Sequence, residues 1–93
     1  MLVIIRSAPD TPEGKRGVKL ARAMSADIVL LQNGVYFIEG QALEDLGFAG
    51  PAYVLEDDKR LRGLTADGMN IKSISYDSLV DFMAESDKVI GMF

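Results

Sequence analysis

The side chains of this sequence that could carry chemistry are carboxylates, lysines, tyrosines and hydroxyls, because its 93 residues include no cysteine and no histidine. Without cysteine the chain has no thiolate nucleophile, no disulfide, no sulfur ligand for a metal and no place for a persulfide. Without histidine it lacks the commonest general base and the commonest ligand of transition metals. These absences restrict the enzyme mechanisms open to the protein.

The densest group of carboxylates is Glu56-Asp57-Asp58, which directly follows an apolar run. Oxygen ligands of this kind suit Mg²⁺ or Ca²⁺. Three acids in the first turn of a helix also stabilise that helix through its dipole. We prefer this second interpretation, because the bases Lys59 and Arg60 follow toward the helix end, and we expect no metal.

The sequence also lacks a nucleotide-binding loop. Gly14-Lys15 follows the first apolar run, but Pro9 stands where the phosphate-binding motif needs its first glycine, and Arg16 stands where it needs serine or threonine. No G-x-G-x-x-G pattern follows any apolar run. We therefore expect no cofactor.

The formal charge of −4 is unevenly distributed. Residues 1–22 hold five basic and two acidic side chains, whereas residues 23–93 hold five basic and twelve acidic ones. This balance predicts no direct binding of nucleic acid; Lys15, Lys19 and Arg22 could meet an acidic partner or could simply be solvated. No apolar run approaches the roughly 20 residues that cross a bilayer, and the first residues lack the features of a signal peptide, so we expect a cytoplasmic protein that binds no membrane.

Five short apolar segments predict a parallel sheet, because continuous apolar runs are typical of strands covered on both faces. They are residues 2–5, 28–31, 52–55, 71–74 and 89–93. Residues 71–74 are half polar, as an edge strand tolerates. Helical patterns separate the runs, so the sequence predicts one α/β domain over residues 1–93 with three layers.

Capping residues indicate where the helices begin and end. Thr11-Pro12 predicts the start of the first helix, Gly63 the end of a short helix after the acids, and Ser75 the cap of the last helix. Apolar residues at helical spacing predict one face of the first and last helices. These are Gly17, Leu20, Ala21 and Met24 in the first, and Tyr76, Leu79, Val80 and Met83 in the last.

The segment after the second predicted strand fits two structures. Asn33-Gly34 is the pair most typical of a two-residue hairpin. A helical stripe also fits the segment, formed by Ile38, Ala42, Leu43 and Leu46. The residues alone favour neither.

Candidate binding or interface residues lie in this segment and beside the acidic run. Ligands of parallel sheets bind beyond the carboxyl ends of the strands, which is where the loop Gln32-Asn33-Gly34 and the acids Glu56 and Asp57 are expected. The loop could face a partner, or Gly34 could only make the turn. The aromatic pair Tyr36 and Phe37 could lie on an interface or could be ordinary core.

Four stretches resemble, in order along the chain, the DsrH/TusB family of the DsrE/F/H-like sulfur-relay proteins. They are residues 30–35, 52–57, 61–64 and 76–82. The resemblance implies a three-layer α/β/α sandwich around a five-stranded parallel sheet of strand order 4-3-2-1-5. It also implies that the segment after Gly34 is helical and not a hairpin.

The resemblance further implies a function. Such proteins are the cysteine-free subunit of a hetero-oligomer with DsrE-like and DsrF-like subunits, which accepts persulfide sulfur from one carrier protein and passes it to another. The destination is 2-thiolation of the transfer-RNA wobble uridine or, in other bacteria, sulfur oxidation. The DsrE-like subunit has its acceptor cysteine near the end of strand three, where this sequence has Leu55 and Glu56, so a non-catalytic, supporting role is implied.

An alternative of another class is a stand-alone homo-oligomeric module that binds a small molecule or another protein. It would need no sister subunits and would carry no sulfur.

Overall fold

The computed structural model describes residues 1–65, 70–91 and 93, and a parallel sheet forms its centre. The strands are β1 (Leu2–Ile5), β2 (Asp27–Leu30), β3 (Ala52–Leu55), β4 (Ile71–Ile74) and β5 (Val89–Ile90). Their order is β4-β3-β2-β1-β5, and every neighbouring pair is parallel. The expected strand order and the half-polar edge strand are confirmed.

Two strands differ from the prediction in their boundaries. β2 runs from Asp27 to Leu30, which is one residue earlier at each end, and β5 ends at Ile90. Of the predicted fifth strand, Met92 lies outside the described residues, while the Phe93 N–H donates to the Ile4 carbonyl at 3.1 Å and so continues the pairing with β1.

In the described part of the chain, four α-helices and one 3₁₀ helix connect the strands. They are α1 (Pro12–Ala23), the 3₁₀ helix (Gln32–Ile38), α2 (Ala42–Asp45), α3 (Glu56–Leu61) and α4 (Tyr76–Glu85). The predicted caps are present: Thr11 Oγ1 accepts from the Gly14 N–H at 3.1 Å, and Ser75 Oγ accepts from the Ser78 N–H at 3.1 Å. Gly63 follows α3 with a φ of +68°, as a helix-ending glycine does.

The strand order decides which face each helix covers. From β1 to β4 each strand lies beside the preceding one in a single direction, so right-handed crossovers place their connections on one face. The chain then returns across the sheet to β5, which places α4 on the other face. The result is the predicted three-layer α/β/α sandwich.

Each face of the sheet has its own apolar core. On the first face, the buried side chains of Val18, Phe37 and Leu43 pack with Val3 and Ile28 of the sheet. On the second face the buried cluster is smaller: Leu2, Val29, Leu55 and Leu79. α4 is the helix of this second core, and its Phe82 ring lies 4.7 Å from that of Tyr53, tilted by 48°.

Two predicted faces differ in the structure. Met24 is exposed because α1 ends at Ala23, which makes Met24 the cap and not a residue of the buried face. In α4 only Leu79 of the predicted stripe is buried, because this helix contacts the sheet through Leu79 and Phe82. The other three stripe residues lie on the adjoining, exposed side: Tyr76, Val80 and Met83.

Of the two alternatives for Phe37, an interface or the core, the structure shows the core. Phe37 is only 1% exposed and belongs to the first core. Its side chain therefore cannot contact a partner, and the prediction that Phe37 is an interface residue is wrong. Tyr36 is half-buried against the same core.

Within the described residues, no helix combines the length and apolar character that a bilayer crossing requires.

The burial of Phe37 gives a first prediction. Replacing it by serine should lower the free energy of unfolding by about 4 kcal/mol, because a large core side chain is removed and a hydroxyl is buried. Tyr36→Ser, at the half-buried neighbouring position, should cost much less. Urea unfolding followed by circular dichroism measures both, and equal losses for the two variants would contradict the placement of Phe37.

Candidate functional site

The carboxyl ends of β1, β2 and β3 lie level with one another at one edge of the sheet. In the register of the strands, Ile5 pairs with Leu30, and Leu30 pairs with Val54. The segments that follow these strands therefore meet. The residues predicted as the loop Gln32-Asn33-Gly34 form the first turn of the 3₁₀ helix, which lies beside the first turn of α3, and we keep the name loop for them. We call this region the carboxyl-edge site.

Gly34 lies in close contact with the backbone at the end of β1. A Cβ at position 34 would overlap the carbonyl oxygen of Ile5 and lie 2.8 Å from its carbonyl carbon. The same carbonyl accepts the Leu31 N–H at 3.0 Å, and the Gly34 N–H donates to the Leu31 carbonyl at 2.9 Å. Glycine is therefore required here by close approach, which is one of the two reasons that α/β loops use it.

The unusual backbone conformation belongs to Gln32 and not to Gly34. Gln32 has a φ of +50°, a region that disfavours side chains with a Cβ. Its N–H donates to Asp58 Oδ2 at 2.6 Å. A charge-assisted hydrogen bond of this length is strong, so the carboxylate of Asp58 holds the loop in its strained conformation.

Arg62 adds a second link between the loop and α3. Its Nε donates to Asn33 Oδ1 at 3.3 Å, and its Nη1 donates to the backbone carbonyl of Asp58 at 3.3 Å. The Arg62 and Asp58 side chains are mostly buried, with the closest charged atoms 3.9 Å apart. Arg62 is not among the predicted site residues, and Asp58 is predicted only as one of three possible ligands of a cation. Their i, i+4 spacing indicates a helical ion pair, but only the fold brings that pair to Gln32 and Asn33.

Glu56 and Asp57 lie at the start of α3, as predicted, but their contacts lead away from the loop. Glu56 Oε1 accepts from Arg60 Nη2 at 3.3 Å. The Ser73 hydroxyl, and then the charges of Lys59 and Arg60, hold the pKa of Glu56 below its ordinary value. Glu56 is thus an ionised carboxylate and not a candidate general acid, and Asp57 is exposed.

The structure therefore assembles part of the predicted site. Gln32, Asn33 and Gly34 form a loop that is fixed to α3, whereas Glu56 contacts Arg60 of its own helix and Ser73 of β4 and does not contact the loop. Tyr36 and Phe37 lie farther along the 3₁₀ helix and belong to the first core.

The sheet has a topological switch point between β1 and β5, where open α/β sheets commonly bind ligands. Here the backbone of Phe93 lies at that place. Its carbonyl accepts the Arg6 N–H at 2.5 Å and the Ser7 N–H at 3.0 Å, and its side chain would contact any Cβ added at Gly17. The polar backbone groups at the switch point are consequently satisfied by the chain itself.

Two further features bear on binding. Among the described residues, no group of three or more acidic side chains is arranged to hold a metal ion. A depression of about 610 Å³ lies at the opposite edge of the sheet, between α2 and the start of β4, and its lining includes Phe48, Leu43 and Ile71. Its lining is mixed, since Glu44 and Asn70 also contribute to it, and it lies away from the carboxyl-edge site.

Comparison with known proteins gives two likenesses. The family model described as "DsrH like protein" matches residues 16–89. The match begins inside α1, in the part of the chain where the resemblance to the DsrH/TusB family is weakest. A search of curated proteins gives no match.

The fold is similar to a solution NMR structure of protein Tm0979 from Thermotoga maritima. The two chains are 28% identical, the alignment covers 98% of this chain and 100% of that one, and the TM-score is 0.64. The likeness thus extends over both chains, including the part of α1 that precedes the family match.

The conformation of Gln32 gives a prediction with a matched control. Gln32→Gly should leave the free energy of unfolding unchanged or slightly raised, because removing about 1 kcal/mol of left-handed strain offsets the entropy of a more flexible unfolded chain. Lys19 is exposed in the helical interior of α1, so the control Lys19→Gly should lose about 1 kcal/mol. Thermal unfolding compares them, and a larger loss for Gln32→Gly would contradict the strained loop.

Proposed function

This chain belongs to the DsrH-like family, and on that premise we propose that it is a non-catalytic subunit of a sulfur-relay complex. Membership links the chain to sulfur relay in general. The proposal adds its partners, namely DsrE-like and DsrF-like subunits that form a hetero-oligomer with it. It also adds the destination of the sulfur, which is either the 2-thio group of the transfer-RNA wobble uridine or sulfur oxidation. The proposal keeps the cytoplasmic location expected from the sequence.

The observation that carries the proposal is the complete absence of cysteine from a member of a sulfur-relay family. Sulfane sulfur travels between proteins as a persulfide, which needs a thiolate to form. At the end of β3, where the resemblance places the acceptor cysteine of a DsrE-like subunit, this chain has the buried Leu55 and the ionised Glu56. The chain can therefore support transfer only through a subunit that does carry the thiol.

The carboxyl-edge site also favours a non-catalytic role. Its loop is held by Asp58 and Arg62 and by the close contact of Gly34 with β1, so it presents a fixed surface and not a reactive group. A fixed surface suits a subunit that completes an assembly and shapes a neighbouring thiol site. Any transfer RNA would then be reached through other proteins of the relay.

The proposal predicts that the chain alone accepts no sulfur. After incubation with a persulfidated carrier protein, its intact mass should be unchanged, because no side chain can hold a sulfane sulfur. The DsrE-like subunit from the same genome is the control, and it should gain sulfur in the same reaction.

Sulfur transfer through the mixed subunits provides the second measurement. Adding the chain to the DsrE-like and DsrF-like subunits should raise the rate at which sulfur passes to the next carrier. A stable adduct of one sulfur atom on the isolated chain would overturn the non-catalytic role. An unchanged transfer rate would overturn its place in the complex.

A further inference from the structure

One side of α4 is apolar and exposed. Tyr76, Val80 and Met83 are 63%, 48% and 41% exposed, and their i, i+4, i+7 spacing places them side by side along the helix. We call these three residues the α4 stripe. Large side chains aligned in this way are typical of a surface that another protein covers.

The charged residues of α4 all have one sign. Asp77 and Asp81 each follow a stripe residue by one position, Glu85 lies in the last turn, and all three are exposed. α4 contains no lysine or arginine, and none of the three ion pairs found in the described part of the chain involves its acids. The stripe is therefore bordered by uncompensated negative charge.

We propose that the α4 stripe is a docking surface for a protein other than a second copy of this chain, one whose contact surface is apolar with lysine or arginine at its rim. The apolar centre would supply burial, and the acids would supply charge complementarity, which sets specificity and the rate of association. The inference rests on the proposed function, under which the partner is one of the sister subunits.

The charges argue against a second copy as the occupant. A twofold contact between two α4 helices would bring the acids of one copy against those of the other, because such an interface is self-complementary. The chain does have basic side chains on the opposite layer, at Lys15, Arg16 and Lys19 of α1. That surface lacks the apolar centre, since the large exposed apolar side chains of the described residues include none within α1.

Affinity for the sister subunits tests the apolar part of the surface. The double variant Tyr76→Ser with Val80→Ser should bind the purified DsrE-like and DsrF-like subunits at least about tenfold more weakly, because central apolar residues dominate such interfaces. Met24→Ser with Leu61→Ser is the matched control. It also removes two exposed apolar side chains, from α1's cap and from α3, and should bind like the wild type.

Salt dependence tests the acidic part. Asp77→Lys with Asp81→Lys should slow association about tenfold at low salt, with a smaller effect at 0.5 M salt, because screening weakens charge attraction between exposed groups. Glu39→Lys with Glu44→Lys makes the same charge change at exposed positions elsewhere and should associate at nearly the wild-type rate. Circular dichroism melting confirms that each variant is folded.

The outcomes separate the inference from the proposed function. If the wild type binds the sister subunits and the α4 variants bind equally well, the docking surface is wrong and the proposed function stands. If the folded wild type binds neither sister, the proposed function fails and the inference fails with it. A wild-type homodimer that sedimentation detects and Val80→Ser dissociates would identify a second copy as the occupant and overturn the inference.

Discussion

The structure depends on the contact between Gly34 and the carbonyl group of Ile5. That carbonyl ends β1, accepts the N–H of Leu31 and has no room beside it for a Cβ at position 34. The chain can therefore leave β2 at Leu30, begin the 3₁₀ helix at Gln32 and carry the first turn of that helix across the end of β1. The 3₁₀ helix then inserts Val35 and Phe37 into the first core, so the contact positions both the core and the carboxyl-edge site.

Gly34 fixes the loop from the side of β1, and α3 fixes it from the side of β3. The carboxylate of Asp58 accepts the backbone N–H of Gln32, and Arg62 reaches Asn33. These bonds keep Gln32 at a positive φ that its side chain disfavours. This edge of the sheet is thus built from hydrogen bonds between elements, with no thiol among them.

The fold followed from local patterns, but the contacts of the site did not. Continuous apolar runs predicted the strands, and Thr11, Ser75 and Gly63 predicted one end each of α1, α4 and α3, because such signals act within a few residues. The strand order and the helical structure after Gly34 came from the family resemblance. Pairing of Asp58 with Gln32 depends on two strands lying in register, which no local pattern records. The prediction that the α4 stripe is buried was wrong for a related reason. Spacing shows that Tyr76 and Val80 lie on one side of the helix, but only the topology shows that a different side of the helix packs against the sheet.

The most direct test of this account is the stability of Gly34→Ala relative to Gly50→Ala. At position 34 the added methyl group would strike the Ile5 carbonyl, whereas at position 50 it would make an ordinary contact, 3.4 Å from the Phe48 ring. Urea unfolding should show a loss of about 3 kcal/mol for Gly34→Ala and little change for Gly50→Ala. Equal stability of the two variants would show that the fold does not depend on the contact between Gly34 and Ile5.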